Sequence, residues 1–136
     1  MRSELFFETA EFVGEIPTEF GRLTLIDHYG PFLYSNKFSG EIPTQFGQLS
    51  RLTYGPDFHS NLLTGTVPTE MGMLSKVGGT FNLALNSLSG MAPTELGQLV
   101  QIANDFVLSQ NLLSGVPTQV KHLCDVGDPR RCTTPP

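Results

Sequence analysis

The sequence predicts an α/β solenoid of about five coils, with a parallel sheet along one face and short helical turns along the other. Three observations carry this: an asparagine that recurs at a constant interval, a glycine and a proline–threonine pair that follow it, and apolar residues that alternate just before it.

Asn36, Asn61, Asn86 and Asn111 stand 25 residues apart, a period typical of stacked-repeat architectures. Gly40, Gly65, Gly90 and Gly115 each lie four residues later. An earlier copy ends at Gly14, with Ala10 in the asparagine position. Pro17, Pro43, Pro68, Pro93 and Pro117 come next, each followed by a threonine: Thr18, Thr44, Thr69, Thr94 and Thr118. The last coil has lost one residue between its glycine and its proline.

Each repeated position has a physical task. Leu5 and Phe7, Leu33, Phe58, Phe81 and Leu83, Phe106 and Leu108 lie three or five residues before the asparagine position. That alternation is expected of a short strand with one buried face, paired in parallel coil upon coil. Phe12, Phe38, Leu63, Leu88 and Leu113 are expected to turn inward as the chain leaves the strand. Ile16, Ile42, Val67, Ala92 and Val116, with Phe20, Phe46, Met71, Leu96 and Val120, close the far wall. No coil hides this set alone, so stability comes from neighbours covering one another.

A buried asparagine offers two donors and an acceptor to the turn that leaves the strand, so Asn36, Asn61, Asn86 and Asn111 read as structural. Gly40, Gly65, Gly90 and Gly115 are expected at positive φ, and the prolines set φ for the outer segment. Thr before Glu or Gln reads as the N-cap of a short helical turn.

These motifs together resemble the leucine-rich repeat family, in its plant-type subclass. That consensus runs L-x-L-x-x-N-x-L, then S/T-G-x-I/V-P and an L-G-x-L tail, and the resemblance extends from about Leu5 to Leu123. It implies a right-handed superhelix with its strands on the concave face. A single domain over 1–136 is expected, with coils at about 4–29, 30–54, 55–79, 80–104 and 105–123 and a C-terminal cap at 124–136.

The chain departs from the subclass in three places. Its repeat carries an extra residue before the strand, in "DHYGPFLYSN", "TYGPDFHSN", "KVGGTFNLALN" and "QIANDFVLSQN", where Gly-Pro, Gly-Gly and Asn-Asp signal a bulge or tight bend. Pro31 and Pro56 occupy strand positions yet cannot donate to a ladder. Only "MRSE" precedes the first strand, so a further segment or a partner chain is expected over Leu5, Phe7 and Phe12.

Composition narrows the function. The net charge is −5 and the few Lys and Arg are scattered, which argues against nucleic acid and anionic membrane surfaces as partners. No apolar run is long enough to span a bilayer, and the opening residues do not read as a signal peptide. Cys124 and Cys132 close a Gly/Pro-containing loop of disulfide size; free thiols in a reducing compartment are the alternative. A disulfide would place the chain in a secreted, extracellular or organelle-lumen setting.

No nucleophile motif, phosphate-cradling loop or metal-ligand spacing appears, and His28, His59 and His122 stand apart. A non-enzyme without cofactor or metal is therefore expected. The outward ranks of the strands are the candidate surface: Glu8, Tyr34, His59, Ala84 and Ser109 in one, Phe6, Phe32, Asp57, Asn82 and Val107 in the other. Phe6, Phe32, Tyr34, Asp57, His59 and Asn82 combine aromatic rings with a charged pair, as partner-binding surfaces do. The first reading is thus a module that binds a protein or peptide through its concave face. A second is a subunit of a larger assembly, held through its open first coil and convex surface. A third, ice binding by the threonine rank at about 4.8 Å spacing, competes with the capping role of those residues.

Overall fold

The computed structural model describes residues 7, 9–26, 28–124 and 132. Its elements are β1 (Val13–Glu15), β2 (Lys37–Glu41), β3 (Leu62–Thr64), β4 (Thr80–Asn82), β5 (Ser89–Met91), β6 (Asp105–Val107), β7 (Leu112–Gly115) and α1 (Thr118–Cys124), with 3₁₀ turns at Thr18–Arg22, Thr44–Gln48, Thr69–Met73 and Thr94–Gln98.

Two parallel sheets wind side by side along the solenoid. The inner one contains β4 and β6, extended to earlier coils by the bridges Phe32↔Asp57 and Asp57↔Asn82. Pro31 and Pro56 stand where β4 and β6 carry Phe81 and Phe106, so these two coils contribute single bridges rather than full strands. The ladder continues through the remaining amides, with Leu33 N–H on Asp57 O (2.9 Å), Phe58 N–H on Asn82 O (2.8 Å) and Leu83 N–H on Val107 O (2.9 Å).

The outer sheet runs β1-β2-β3 and β5-β7, joined by the bridge Thr66↔Ser89. It follows from an alternation within each repeat: Phe38 and Ile42 point inward while Lys37 and Glu41 point out. Between the sheets and the 3₁₀ turns lies one core that includes the fully buried Phe46, Phe58, Phe81 and Phe106, with Ile16 and Ile26 from the first coil and leucines from the later ones.

Three expectations need correction. The threonines are not N-caps: Pro17, Pro43, Pro68 and Pro93 hold that position, and their carbonyls accept the first 3₁₀ bonds, from Phe20, Phe46, Met71 and Leu96 at 3.1–3.2 Å. The hydroxyls of Thr18, Thr69 and Thr94 instead bond the carboxylate of the next residue. Gly40, Gly65 and Gly90 do adopt φ near +74°, but Gly115 does not, because the missing residue of the last coil is absorbed by a register irregularity beside Gly90/Met91. Phe12 is 42% exposed rather than turned in: it stacks on Phe38 and meets the Phe7 ring edge-on at 5.6 Å. Leu5 lies outside the described residues.

In the last coil α1 takes the place of the 3₁₀ turn and packs on the turn Thr94–Gln98 with Val120 and Leu123 buried, and its final residue is joined to the C-terminal segment by a Cys124–Cys132 disulfide. Loops before the inner strands turn on shared carbonyls: His28 O accepts from Thr53 and Tyr54, and Thr53 O from Gly78 and Gly79.

Candidate functional site

The outward ranks of the inner sheet form one surface. Phe32, Asp57, Asn82 and Val107 follow each other in bridge register, and Tyr34, His59, Ala84 and Ser109 lie two residues further along their coils. Phe6 and Glu8 lie outside the described residues. Tyr34 stacks on the His59 imidazole with centroids 4.9 Å apart and planes 10° from parallel. His59 Nδ1 is hydrogen-bonded to Asp57 Oδ1, and the two side chains keep 28% and 14% exposure.

The asparagine ladder fixes where these groups sit. Asn61 Nδ2 donates to Leu33 O (2.9 Å), Phe58 O (3.1 Å) and His59 O (3.3 Å), while its Oδ1 accepts from Phe38 N–H (3.0 Å). With Leu33 O taken, the His59 N–H turns to Asp57 Oδ1 at 3.4 Å. The next coil repeats this: Asn86 takes Phe58 O (3.0 Å), and Ala84 N–H bonds Asn82 Oδ1 (3.1 Å). Asp57 and Asn82 are therefore held by their own backbone as well as being displayed. Asn36, Asn61 and Asn111 are buried, and Asn86 is half-buried.

The aromatic block ends abruptly at Ala84, which is only 8% exposed. Beyond His59 the two ranks continue with Ala84, Ser109, Asn82 and Val107, none of them aromatic. Among the described residues of the two ranks Asp57 is the one carboxylate, and neither Lys nor Arg occurs. The described residues hold no cluster of three or more His, Cys, Asp or Glu that could hold a metal ion.

A second exposed apolar region lies at the first coil, where Phe7, Phe12, Val13, Phe20 and Phe38 line a shallow depression. Of the residues expected to need a cover, Phe12 is exposed, while Phe7 is half-buried against Phe20 and the core. The outer sheet was not anticipated, although its period-2 alternation was present in every copy.

No family model matches the chain, and no curated protein matches it. Solved structures do. The plant peptide hormone receptor RGFR1 in complex with RGF2 shares 32% identity over 84% of this chain and 18% of that one, with a TM-score of 0.73. The BIR3–SERK2 complex from Arabidopsis thaliana shares 26% over 96% and 73%, with a TM-score of 0.76. A plant ice-binding protein shares 29% over 81% and 34%, with a TM-score of 0.69. The chain thus spans under a fifth of the hormone receptor and about three quarters of the chain matched in the Arabidopsis complex. A 25-residue repeat, an asparagine ladder joining successive coils, paired parallel sheets and these likenesses make the chain a member of the plant-type leucine-rich repeat family.

Proposed function

We propose that this chain is a non-catalytic interaction module that binds a protein or peptide through its inner sheet, with Phe32, Tyr34, Asp57, His59 and Asn82 as the contact set. The observation that carries the reading is the stacked Tyr34–His59 pair tied to Asp57, an aromatic group held in place on the inner sheet. Such groups lose little entropy on binding and are enriched among hot spots. Similar structures, RGFR1 with RGF2 and BIR3 with SERK2, are complexes with a partner. The disulfide fits an oxidising setting, outside the cell or in an organelle lumen. No helix among the described residues is long and apolar enough to cross a membrane.

The test is differential capture from the source tissue's extracellular fluid, followed by affinity measurement on what is captured. Tyr34→Ala and His59→Ala should each weaken binding by more than about 1 kcal/mol with the fold unchanged by circular dichroism. A convex-face control, Met73→Ala, should bind normally. Equal affinity in all three variants would remove the inner sheet from the interface.

The subunit reading rests on the uncovered first coil, where Phe12 is 42% and Val13 73% exposed. It requires that the isolated chain self-associate or bind a partner there, and a stable monomer whose captured partner depends on Tyr34 contradicts it. The threonine rank is a weak ice surface. The hydroxyls of Thr18, Thr69 and Thr94 are each engaged by an adjacent carboxylate and that of Thr118 by the Gln119 amide oxygen, and a rank whose hydroxyls are so engaged is unsuited to an ordered water lattice.

A further inference from the structure

We propose a second binding site, for a neutral saccharide, in the loops that return the chain to the inner strands. Those loops contain the extra residue of each repeat. Position for position they place Tyr29, Tyr54, Gly79 and Asn104 in one rank across four coils, with His28, Thr53, Gly78 and Ala103 in the rank beside it. Tyr29 and Tyr54 lie with ring centroids 5.2 Å apart and planes tilted by 33°. Tyr54 leans across Gly79, where a Cβ would fall 2.7 Å from three of its ring carbons, and the Asn104 amide reaches back to donate to its hydroxyl at 2.9 Å. The result is a depression of about 310 Å³ lined by His28, Tyr29, Thr53, Tyr54, Gly78, Gly79 and Asn104. Small-ligand sites begin at about 300 Å³.

The chemistry of the lining selects the ligand. Two half-buried tyrosine rings, tilted by 33° to each other, offer apolar ring surface. Around it stand an amide, three hydroxyls and an imidazole, which both donate and accept. The described lining contains no Lys, Arg, Asp or Glu, so an ionic ligand would find no counter-charge. The backbone is also spoken for: the amides of Thr53 and Tyr54 bond His28 O, and those of Gly78 and Gly79 bond Thr53 O, which leaves no strand edge for a peptide to extend. A ligand with an apolar ring face and a rim of neutral hydroxyls fits, and that describes a pyranose. Gly79 and the Asn104 bond hold Tyr54 in place beforehand, so little ordering is left to binding.

The chain has no Trp and three Tyr, so tyrosine emission reports directly on this site. The experiment titrates the whole chain with cellohexaose, xylohexaose, mannohexaose, laminarihexaose and chitohexaose, with hexagalacturonate as the charged comparator, by emission and by calorimetry. At least one neutral hexasaccharide should bind in the millimolar range or tighter. Tyr29→Leu and Tyr54→Leu should each weaken that binding about tenfold or more, and Tyr34→Leu on the inner sheet should leave it unchanged. Should Tyr54→Leu fail to fold, Asn104→Ala, at an exposed side chain, decides in its place with the same expected loss. Absence of binding by all five neutral sugars overturns the proposal. So does binding that survives Tyr29→Leu together with Tyr54→Leu or Asn104→Ala, or tighter binding of hexagalacturonate.

Discussion

At the scale of single residues, the asparagine ladder explains both a regularity and its one exception. Each asparagine accepts from an amide of the preceding coil and donates to carbonyls of that coil and its own, so one side chain stitches two turns of the solenoid. Ala10 replaces the first asparagine, and Asn36 Oδ1 responds by accepting from both Ala10 and Phe12 amides, at 3.2 and 3.0 Å. Asn61→Ala strands the Phe38 amide in the core, whereas Leu33 O keeps the bond from Asn36 Nδ2 (3.1 Å), and should cost about 1–3 kcal/mol in a urea titration. Asn86→Ala should cost less, because its surroundings are half-open to water that can replace the lost partner. Equal losses at the two sites would show that burial does not set the penalty.

Between elements, the decisive contacts are those of the 3₁₀ turns, whose glycines let one coil seat against the next. A Cβ on Gly47 would lie 2.5 Å from Glu70 O, and one on Gly72 would lie 2.4 Å from Glu95 O. Those obstacles are backbone, which cannot rotate aside. Gly72→Ala should therefore destabilise by about 3 kcal/mol, at the upper end of overpacking penalties. Gly14→Ala has φ of +96° but nothing within 4 Å, so it should cost only the conformational term of about 1 kcal/mol. Thermal unfolding of the two variants checks the order. These steric glycines were visible in the repeat only as a recurring letter, since the clash involves a residue 22 to 24 positions away. The inner strands were legible because alternation is a local property, and so was the adjacency of Tyr34 and His59, one period apart. The Tyr54–Asn104 contact was not, because it skips a coil and depends on the missing side chain at Gly79. The threonine caps were misread for a related reason: a 3₁₀ turn begins on the proline carbonyl, and composition alone does not distinguish it from an α-helix.

For the molecule as a whole, a solenoid's stability is a sum of coil and interface terms, so its two ends need not be equally firm. Here they differ in kind. The last coil keeps Val120 and Leu123 of α1 buried and is tied by the Cys124–Cys132 bridge, whereas the first coil leaves Phe12 and Val13 open to solvent. Native-state hydrogen exchange should thus show a gradient. The amides of Leu63 and Leu88, bonded to the next coil's asparagine in the middle of the stack, should exchange near the global limit, and those of Leu23 and Ile26 in the first turn well before it. Replacing both cysteines by serine removes a link across eight residues, a loop whose closure is worth about 2–3 kcal/mol. In that variant the last coil should lose protection at Leu112 and Val120 while the middle of the stack keeps its own, and the gradient should become symmetrical. A uniform loss along the chain would instead mean that the coils unfold as a single unit, with the end caps supporting every turn equally.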